Sequence, residues 1–238
     1  MKLTTIIKTV SVTSIISLLL FSAQAVFALP AAFQANYSVA KGSLNLGNLH
    51  VSLKYSGNTY QYHKYTQATG IAALLTGIKI TENTDGQYSG QNITPKKYLF
   101  NQTQRSKARI DKVQFTSNRA IGSYKNTPYN VAITPGTQDR ASLELVLARD
   151  IAQNKPQLVY TVIDRGEIKQ YNFKKLGNEQ IQTPAGSFSA TKVRVIRSDD
   201  KRDTVFWMAK EIDYLPVKIQ HSEKGDVITT VIKNYKKL

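Results

Sequence analysis

Apolar and polar residues alternate along most of the chain with a period of two. The first run places Phe33, Ala35, Tyr37 and Val39 on one side, with polar residues between most of them. This spacing is typical of a β-strand with one buried and one solvated face. Further runs show the same spacing, with apolar positions at Val51/Leu53/Tyr55, Tyr129/Val131/Ile133 and Leu215/Val217/Ile219.

Short turn sequences separate these runs. They are rich in glycine, asparagine, aspartate and proline, as in residues 56–58, 85–86, 165–166, 177–178 and 184–186. Strands joined by such tight turns pair in antiparallel order, whereas parallel sheets need long helical crossovers. The pattern therefore predicts a mainly β protein, built as a single curved antiparallel sheet or a half-open β-barrel.

One later segment changes to helical spacing. Either Asp139 or Thr137 is placed to cap its start, and we predict one α-helix over about residues 139–153 that packs against the sheet. The apolar stripe that would face the sheet consists of Leu143, Val146, Leu147 and Ile151.

Residues 69–77 form a second exception, an apolar segment bracketed by glycines. Its length predicts only a short helical turn, near residues 70–76. Two interpretations are open: a plug for one end of the core, or a rim that touches an apolar ligand or a membrane. In the second case Ile71, Leu74 and Leu75 are the candidate contacts.

Aromatic residues give two further candidates. The chain has thirteen tyrosines, and Tyr65 follows Tyr60 and Tyr62 in one stretch. Ordinary core packing explains such tyrosines, and a platform for carbohydrate or lipid is the alternative. Residues 203–209 are apolar on both faces, which predicts a strand covered on one side by the helix or a loop. Trp207 in that strand is a candidate ligand contact.

Positive charge is the main compositional feature. The formal net charge is +16, and loss of Lys2 and Lys8 with the N-terminal segment leaves +14. Arg105, Lys107 and Arg109 would share one face of a strand. They indicate either a solvated strand face or a site for lipid headgroups, lipopolysaccharide or another envelope polyanion.

Signatures of catalysis and metal binding are missing from the sequence. There is no cysteine, and His50, His63 and His221 lack ligand spacing. Neither a nucleophile elbow nor a phosphate-binding loop occurs, and the carboxylates fall mainly in turns. We therefore predict no catalytic residue, no metal site and no cofactor.

The N-terminus has the order of an export signal. Lysines at positions 2 and 8 precede an apolar run over residues 10–21, and small residues follow. Cleavage after Ala25 and cleavage after Ala28 both satisfy the small-residue rule. We expect a signal peptide over residues 1–28 and a single β domain over residues 29–238 in the periplasm of a Gram-negative bacterium. No later stretch is apolar and long enough to span a membrane.

Several motifs resemble a known family. They are Thr-Pro-Ala-Gly-Ser-Phe at residues 183–188, Val-Phe-Trp-Met at 205–208 and Leu-Pro-Val-Lys at 215–218. In this order they resemble the exported bacterial domain-of-unknown-function family 3108 (DUF3108), with a looser match over residues 41–47. The family implies no activity. By analogy, its domains resemble the half-open barrels of periplasmic lipoprotein carriers, whose concave apolar face shields acyl chains.

The leading hypothesis is a non-enzymatic periplasmic protein that binds or carries a lipid-like or other envelope component in an apolar cavity. One alternative is a module that docks on an envelope protein or the cell wall, and another is an enzyme acting on envelope glycan or peptide. Nucleic acid is not an expected partner of an exported protein. The carrier hypothesis assigns the ligand to Tyr65, Ile71, Leu74, Leu75 and Trp207, and anionic headgroups to Arg105, Lys107 and Arg109.

Overall fold

The structure, a computed structural model, describes residues 29–198 and 201–238, so the expected signal peptide lies outside the described residues. One antiparallel sheet of fourteen strands dominates the fold, which confirms the mainly β prediction. The strands are β1 (Phe33–Lys41), β2 (Leu44–Ser56), β3 (Thr59–Ala68), β4 (Lys79–Ser89), β5 (Asn92–Gln104), β6 (Lys107–Phe115), β7 (Arg119–Tyr124), β8 (Thr127–Ala132), β9 (Leu158–Asp164), β10 (Glu167–Thr183), β11 (Gly186–Ile196), β12 (Arg202–Ala209), β13 (Leu215–Glu223) and β14 (Asp226–Lys237).

Two helices and one short 3₁₀ turn interrupt the strands. Helix α1 (Gly70–Thr76) lies between β3 and β4, helix α2 (Arg140–Ala152) lies between β8 and β9, and the 3₁₀ turn spans Lys210–Ile212. Both helices lie where the sequence predicts them.

The strand order follows the chain except at one seam. The order is β8-β7-β6-β5-β4-β3-β2-β1-β14-β13-β12-β11-β10-β9, so every strand pairs with a sequence neighbour and β1 also pairs with β14. The edge strands are therefore β8 and β9, and the sheet is not closed into a barrel.

The two edges nevertheless lie close together. The N–H of Gln138 donates to the carbonyl of Thr161 at 2.9 Å, and the N–H of Ile163 donates to the carbonyl of Gln138 at 2.9 Å. Asp111 of β6 accepts hydrogen bonds from the Tyr129 hydroxyl of β8 and from the N–H of Arg165, at 2.9 and 3.0 Å. The sheet is thus curled into a barrel-like shell, and the segment before α2 bridges its gap.

Asp139, rather than Thr137, caps α2. Its Oδ1 accepts from the N–H groups of Ala141 and Ser142, both at 2.8 Å, while the Asp139 N–H donates to the Ser142 hydroxyl at 3.0 Å. The reciprocal pair is a capping box, which satisfies donors that a helix start leaves unpaired.

The surroundings of α2 differ from the prediction of one apolar stripe. Most of its circumference is buried, because the curled sheet encloses the helix instead of meeting one face. The helix therefore fills much of the interior in which the carrier hypothesis expects an apolar cavity. The buried residues of α2 are Ala141, Ser142, Leu143, Leu145, Val146, Leu147, Ala148, Asp150 and Ile151.

Candidate functional site

The connections between strands fall at two ends of the shell. One end, which we call the upper end, carries the β1–β2, β3–β4, β5–β6, β7–β8, β9–β10, β11–β12 and β13–β14 connections. Helix α2 lies toward the lower end, because Arg149 donates to the carbonyl of Gln91 in the lower β4–β5 turn at 2.6 Å, and Gln138, just before the helix, donates to the carbonyl of Ile93 at the lower end of β5 at 3.3 Å. The upper end is therefore left open above the helix.

A cavity of about 1030 Å³ lies at this end, and we call it the upper cavity. Among its described lining residues are six arginines and lysines but only two carboxylates, so these residues carry a formal excess of four positive charges. The charged lining residues are Arg109, Arg140, Arg165, Lys169, Arg197, Arg202, Asp164 and Glu223.

Arg140 is held firmly at the base of the cavity. Its Nη2 donates to Glu82 Oε1 at 3.1 Å and its Nε donates to the Tyr98 hydroxyl at 3.0 Å. Its guanidinium carbon lies 4.5 Å from the centroid of the Phe100 ring. Burial acts to lower the pKa of Arg140, but the Glu82 and Asp164 carboxylates and the Tyr98 hydroxyl together outweigh burial, so the pKa is raised. Arg140 therefore stays charged in a fixed position.

Asp164 is the buried acid of the cavity. Its Oδ2 lies 3.0 Å from the ammonium of Lys169, and its Oδ1 lies 3.7 Å from Nε of both Arg140 and Arg165. Three cations thus surround one carboxylate, and two of them have a second acidic partner: Arg140 pairs with Glu82 and Lys169 with Glu167.

Two further guanidinium groups approach the cavity from opposite sides of the shell. Arg109 of β6 lies 5.5 Å from the Phe100 centroid and donates to Gln102 Oε1 at 2.6 Å. Arg197 follows β11, and its Nη2 lies 3.4 Å from the Thr204 hydroxyl. Nε of Arg197 is buried and has no hydrogen-bond acceptor among the residues that the structure describes. A buried donor of this kind favours binding of an anion.

The prediction that three cations share a strand face is correct for two of them, because Lys107 and Arg109 are two residues apart on β6, and is wrong for Arg105, which precedes the strand. Arg105 lies in the β5–β6 turn with a φ of 51°, and Lys107 is the exposed first residue of β6. Only Arg109 points into the upper cavity. The reason is that the strand begins two residues later than the charge pattern implies, since Gln104 and Lys107 close the hairpin.

Helix α1 does not plug the core, so the rim interpretation describes its position better. Ala72 is its buried residue, whereas Ile71, Leu74 and Leu75 are 63%, 82% and 66% exposed. The Arg105 guanidinium reaches this helix, because its Nη2 donates to the carbonyl of Leu75 at 2.7 Å. The structure thus brings together apolar and cationic candidates that the sequence presents separately.

Tyr65 lies outside the cavity, contrary to the assignment under the carrier hypothesis. The neighbouring Tyr62 and Lys64 point inward to Glu144 of α2. Because side chains alternate across a strand, Tyr65 lies on the outer face, where its hydroxyl donates to Gln67 Oε1 at 3.2 Å.

Trp207 is also on the outer face, so the structure does not support its assignment to a ligand cavity. Its Nε1 donates to Glu179 Oε2 at 2.7 Å, and the Lys192 and Lys218 ammonium groups lie 5.2 and 4.5 Å from its ring centroid. Phe206 points inward instead, with its ring centroid 6.3 Å from that of Phe173. Long polar side chains from adjacent strands, rather than a helix or loop, therefore cover this part of β12.

Sequence reasoning missed most of the cavity. Asp164 comes directly before the Arg165-Gly166 turn sequence, a position typical of exposed carboxylates, and Arg140 follows a cap residue. Lys169 and Arg197 stand near strand ends with no distinguishing motif. One signal was present: alternation in β10 puts Lys169 on the same side as Tyr171 and Phe173, which marks a polar position on an inward face.

Two negative findings concern the described ranges 29–198 and 201–238. No helix there is long and apolar enough to cross a membrane. No group of three or more histidine, aspartate or glutamate side chains there could hold a metal ion.

The sequence places the chain in a family. The profile of a protein family of unknown function, DUF3108, matches residues 33–232, and the chain belongs to that family. A search of curated proteins finds no match.

Comparison with solved structures gives one match that shows the same kind of fold. A beta-barrel-like protein of the domain of unknown function DUF1849 from Brucella abortus is similar, with a TM-score of 0.57 and 8% identity over 89% of this chain and 99% of that one. A candidate lipoprotein from Parabacteroides distasonis matches with a TM-score of 0.34 and 9% identity, over 89% of this chain and 98% of that one. The first of these supports the barrel-like architecture.

Proposed function

We propose that this protein is a non-enzymatic binding protein of the periplasm that holds the anionic part of a lipid-like or other envelope component in the upper cavity. The observation that carries the proposal is the excess of cations among the described residues that line a cavity of about 1030 Å³. Arginines fixed by ring stacking and ion pairs present their remaining N–H donors in a set geometry. Such donors suit phosphate and carboxylate groups.

The packed interior determines how such a ligand would bind. Helix α2 occupies the space below Arg140, so the ligand would be held by its anionic group rather than by burial of a whole acyl chain. Val195 supplies a small apolar surface beside the cations, against which the start of a hydrocarbon chain would lie. Location in the periplasm is supported by the N-terminal sequence pattern.

Calorimetric titration with a soluble, short-chain phosphatidylglycerol tests this proposal, with the matching phosphatidylcholine as the neutral comparison. We expect binding of the anionic lipid only, and a loss of affinity of about tenfold or more in a variant with Arg109→Gln and Arg197→Gln. The matched control is Lys174→Gln, which removes an exposed cation from β10 outside the cavity.

Three results would contradict the proposal. Equal binding of the two lipids would remove the role of the anionic group. Unchanged affinity in the folded double-arginine variant would remove the role of the cavity. Recovery of a chemically altered lipid after incubation would show catalysis, against a non-enzymatic role.

A further inference from the structure

Helix α1 forms an exposed apolar tip on the upper end of the shell. Leu74 is 82% exposed, and Ile71 and Leu75 are exposed by 63% and 66%. Leu44, at the start of β2, adds a fourth apolar side chain that is 49% exposed at the same end. Exposure of neighbouring leucine side chains to water is unfavourable in free energy, and such apolar patches mark surfaces that contact a partner or a membrane.

The tip is held in a defined position. The N–H of Thr69 donates to the carbonyl of Leu46 at 3.1 Å before the helix begins. Gly77, at a φ of 60°, ends the helix, and its N–H donates to the carbonyl of Ala73 at 2.8 Å. Arg105 from the next hairpin fixes the last turn through Leu75, at 2.7 Å. The leucines therefore project from an ordered support.

Cations lie beside this tip on the side of β4 to β6, and acids are missing from the adjoining sequence. Lys79 is the exposed first residue of β4, Arg105 lies in the β5–β6 turn, and Lys107 follows that turn. Residues 66–81 and 86–110 contain no aspartate or glutamate. An apolar tip with positive charges beside it complements a bilayer that has anionic headgroups above an apolar interior.

We propose that the α1 tip docks the protein on an anionic lipid bilayer, with Ile71, Leu74 and Leu75 inserted below the headgroups and Lys79, Arg105 and Lys107 at the level of the phosphates. A second copy of this chain fits the surface less well, because a few aliphatic side chains fall short of the roughly 800 Å² per partner that a standard interface buries. Like charges around the two tips would also repel.

Docking in this orientation turns the upper cavity toward the membrane. The β5–β6 hairpin joins the two features, because Arg105 contacts α1 and Arg109, four residues later, lines the cavity. The docking proposal rests on the tip alone and stands whether or not the cavity binds a lipid headgroup.

Co-sedimentation with vesicles tests the proposal. The protein is recovered from periplasmic extracts and its N-terminal residue is determined, since the apolar N-terminal segment would itself bind lipid. Vesicles contain equal parts of phosphatidylglycerol and phosphatidylcholine, or phosphatidylcholine alone. We expect binding to the anionic vesicles that weakens as salt is added.

Two pairs of variants separate the apolar and charged contributions. Leu74→Ser with Leu75→Ser should weaken vesicle binding by about tenfold or more, and Lys79→Gln with Lys107→Gln should weaken it and reduce its salt dependence. Val159→Ser is the apolar control, because Val159 is 57% exposed on β9, and Lys96→Gln with Lys97→Gln is the charge control on β5. Both controls should bind as the unaltered protein does.

The possible contrary outcomes are distinct. Unchanged binding by the serine pair, or no binding by the unaltered protein, would overturn the proposal. If the unaltered protein forms a dimer and does not bind vesicles, and the variant with Leu74→Ser and Leu75→Ser is a monomer, the tip binds a second copy of the chain instead. Loss of vesicle binding only in the Arg109→Gln and Arg197→Gln variant would mean that the cavity captures the headgroup and the tip does not dock.

Discussion

Thr84 donates its hydroxyl to Oδ2 of Asp139 at 2.7 Å, and both side chains are fully buried. The bond links β4 to the cap of the enclosed helix. Burial raises the pKa of Asp139 to about 6, against an ordinary value of 3.8, although hydrogen bonds from Ser142 and Thr84 oppose the shift. The folded protein thus binds a proton at Asp139 more tightly than the unfolded chain does.

The shift predicts a pH-dependent stability. A raised carboxyl pKa stabilises the fold fully below about pH 4, and this contribution is lost as pH rises through about 6. Asp139→Asn keeps an acceptor for the cap but does not titrate. Its free energy of unfolding should therefore rise relative to the unaltered protein between about pH 4 and 7, by up to about 3 kcal/mol.

Urea unfolding of both proteins across this pH range provides the measurement. Other titrating groups largely cancel in the difference between the two proteins. A difference that does not change with pH would mean that Asp139 titrates normally. Asp139→Ala serves as the control, since loss of the cap costs about 1 kcal/mol.

Enclosure of α2 predicts that opposite sides of the helix are equally sensitive to truncation. Leu143 and Leu145 point about 200° apart on a helix of 3.6 residues per turn, yet they are only 5% and 0% exposed. Leu143→Ala and Leu145→Ala should each lower the free energy of unfolding by about 2–5 kcal/mol. Leu74→Ala on α1 should change it by no more than about 0.5 kcal/mol. A large cost at Leu143 alone would instead indicate a surface helix with one buried stripe.

The contact between the two sheet edges predicts different costs at two similar glycines. Gly166 and Gly225 both lie in turns, with φ values of 80° and 83°. A Cβ on Gly166 would lie 2.8 Å from Cδ1 of the Tyr129 ring, whereas nothing lies within 4 Å of one on Gly225. Both alanine variants bear backbone strain, but Gly166→Ala should cost about 1–3 kcal/mol more.

Thermal or urea unfolding of the two glycine variants measures this difference. Equal destabilisation would mean that the β9–β10 turn moves away from Tyr129 without cost. In that case the contact between the two sheet edges, β8 and β9, would contribute little to stability.

Trp207 predicts a fluorescence signal that reports unfolding and not ligand binding. It is the one tryptophan of the chain, is 4% exposed and lies on the outer face between Lys192 and Lys218. Its emission should shift to the red on unfolding and resist acrylamide quenching in the folded protein. Filling the upper cavity should leave the emission unchanged. A spectral change on titration with the anionic lipid would reveal a rearrangement that reaches β12.

Local sequence patterns predicted the elements well. Alternation identified β1, β2, β8 and β13, and the spacing after Asp139 predicted α2 within one residue at each end. The leucines of α1 were also recognisable as exceptions, because the segment between its bracketing glycines is apolar and lacks the alternation of a strand. These features depend on neighbours in sequence, which a pattern captures directly.

The cavity could not be predicted in the same way. Arg109, Arg140 and Arg197 come from β6, the start of α2 and the end of β11, and only the curl of the sheet brings them to one space. The strand register decides which cations face inward, and a shift of one residue moves every side chain to the opposite face of the sheet. Trp207 illustrates the difficulty, since both faces of its strand are apolar and the sequence does not indicate which face points inward.

The seam between β1 and β14 has a consequence for biosynthesis. Strands β1–β8 form one block and β9–β14 another, and hydrogen bonds between the first and last strands join the blocks in the middle of the sheet. A ribosome must therefore release nearly the entire polypeptide before the shell can assemble. Until then the nascent chain has no completed core, a condition suited to threading through a narrow translocation pore.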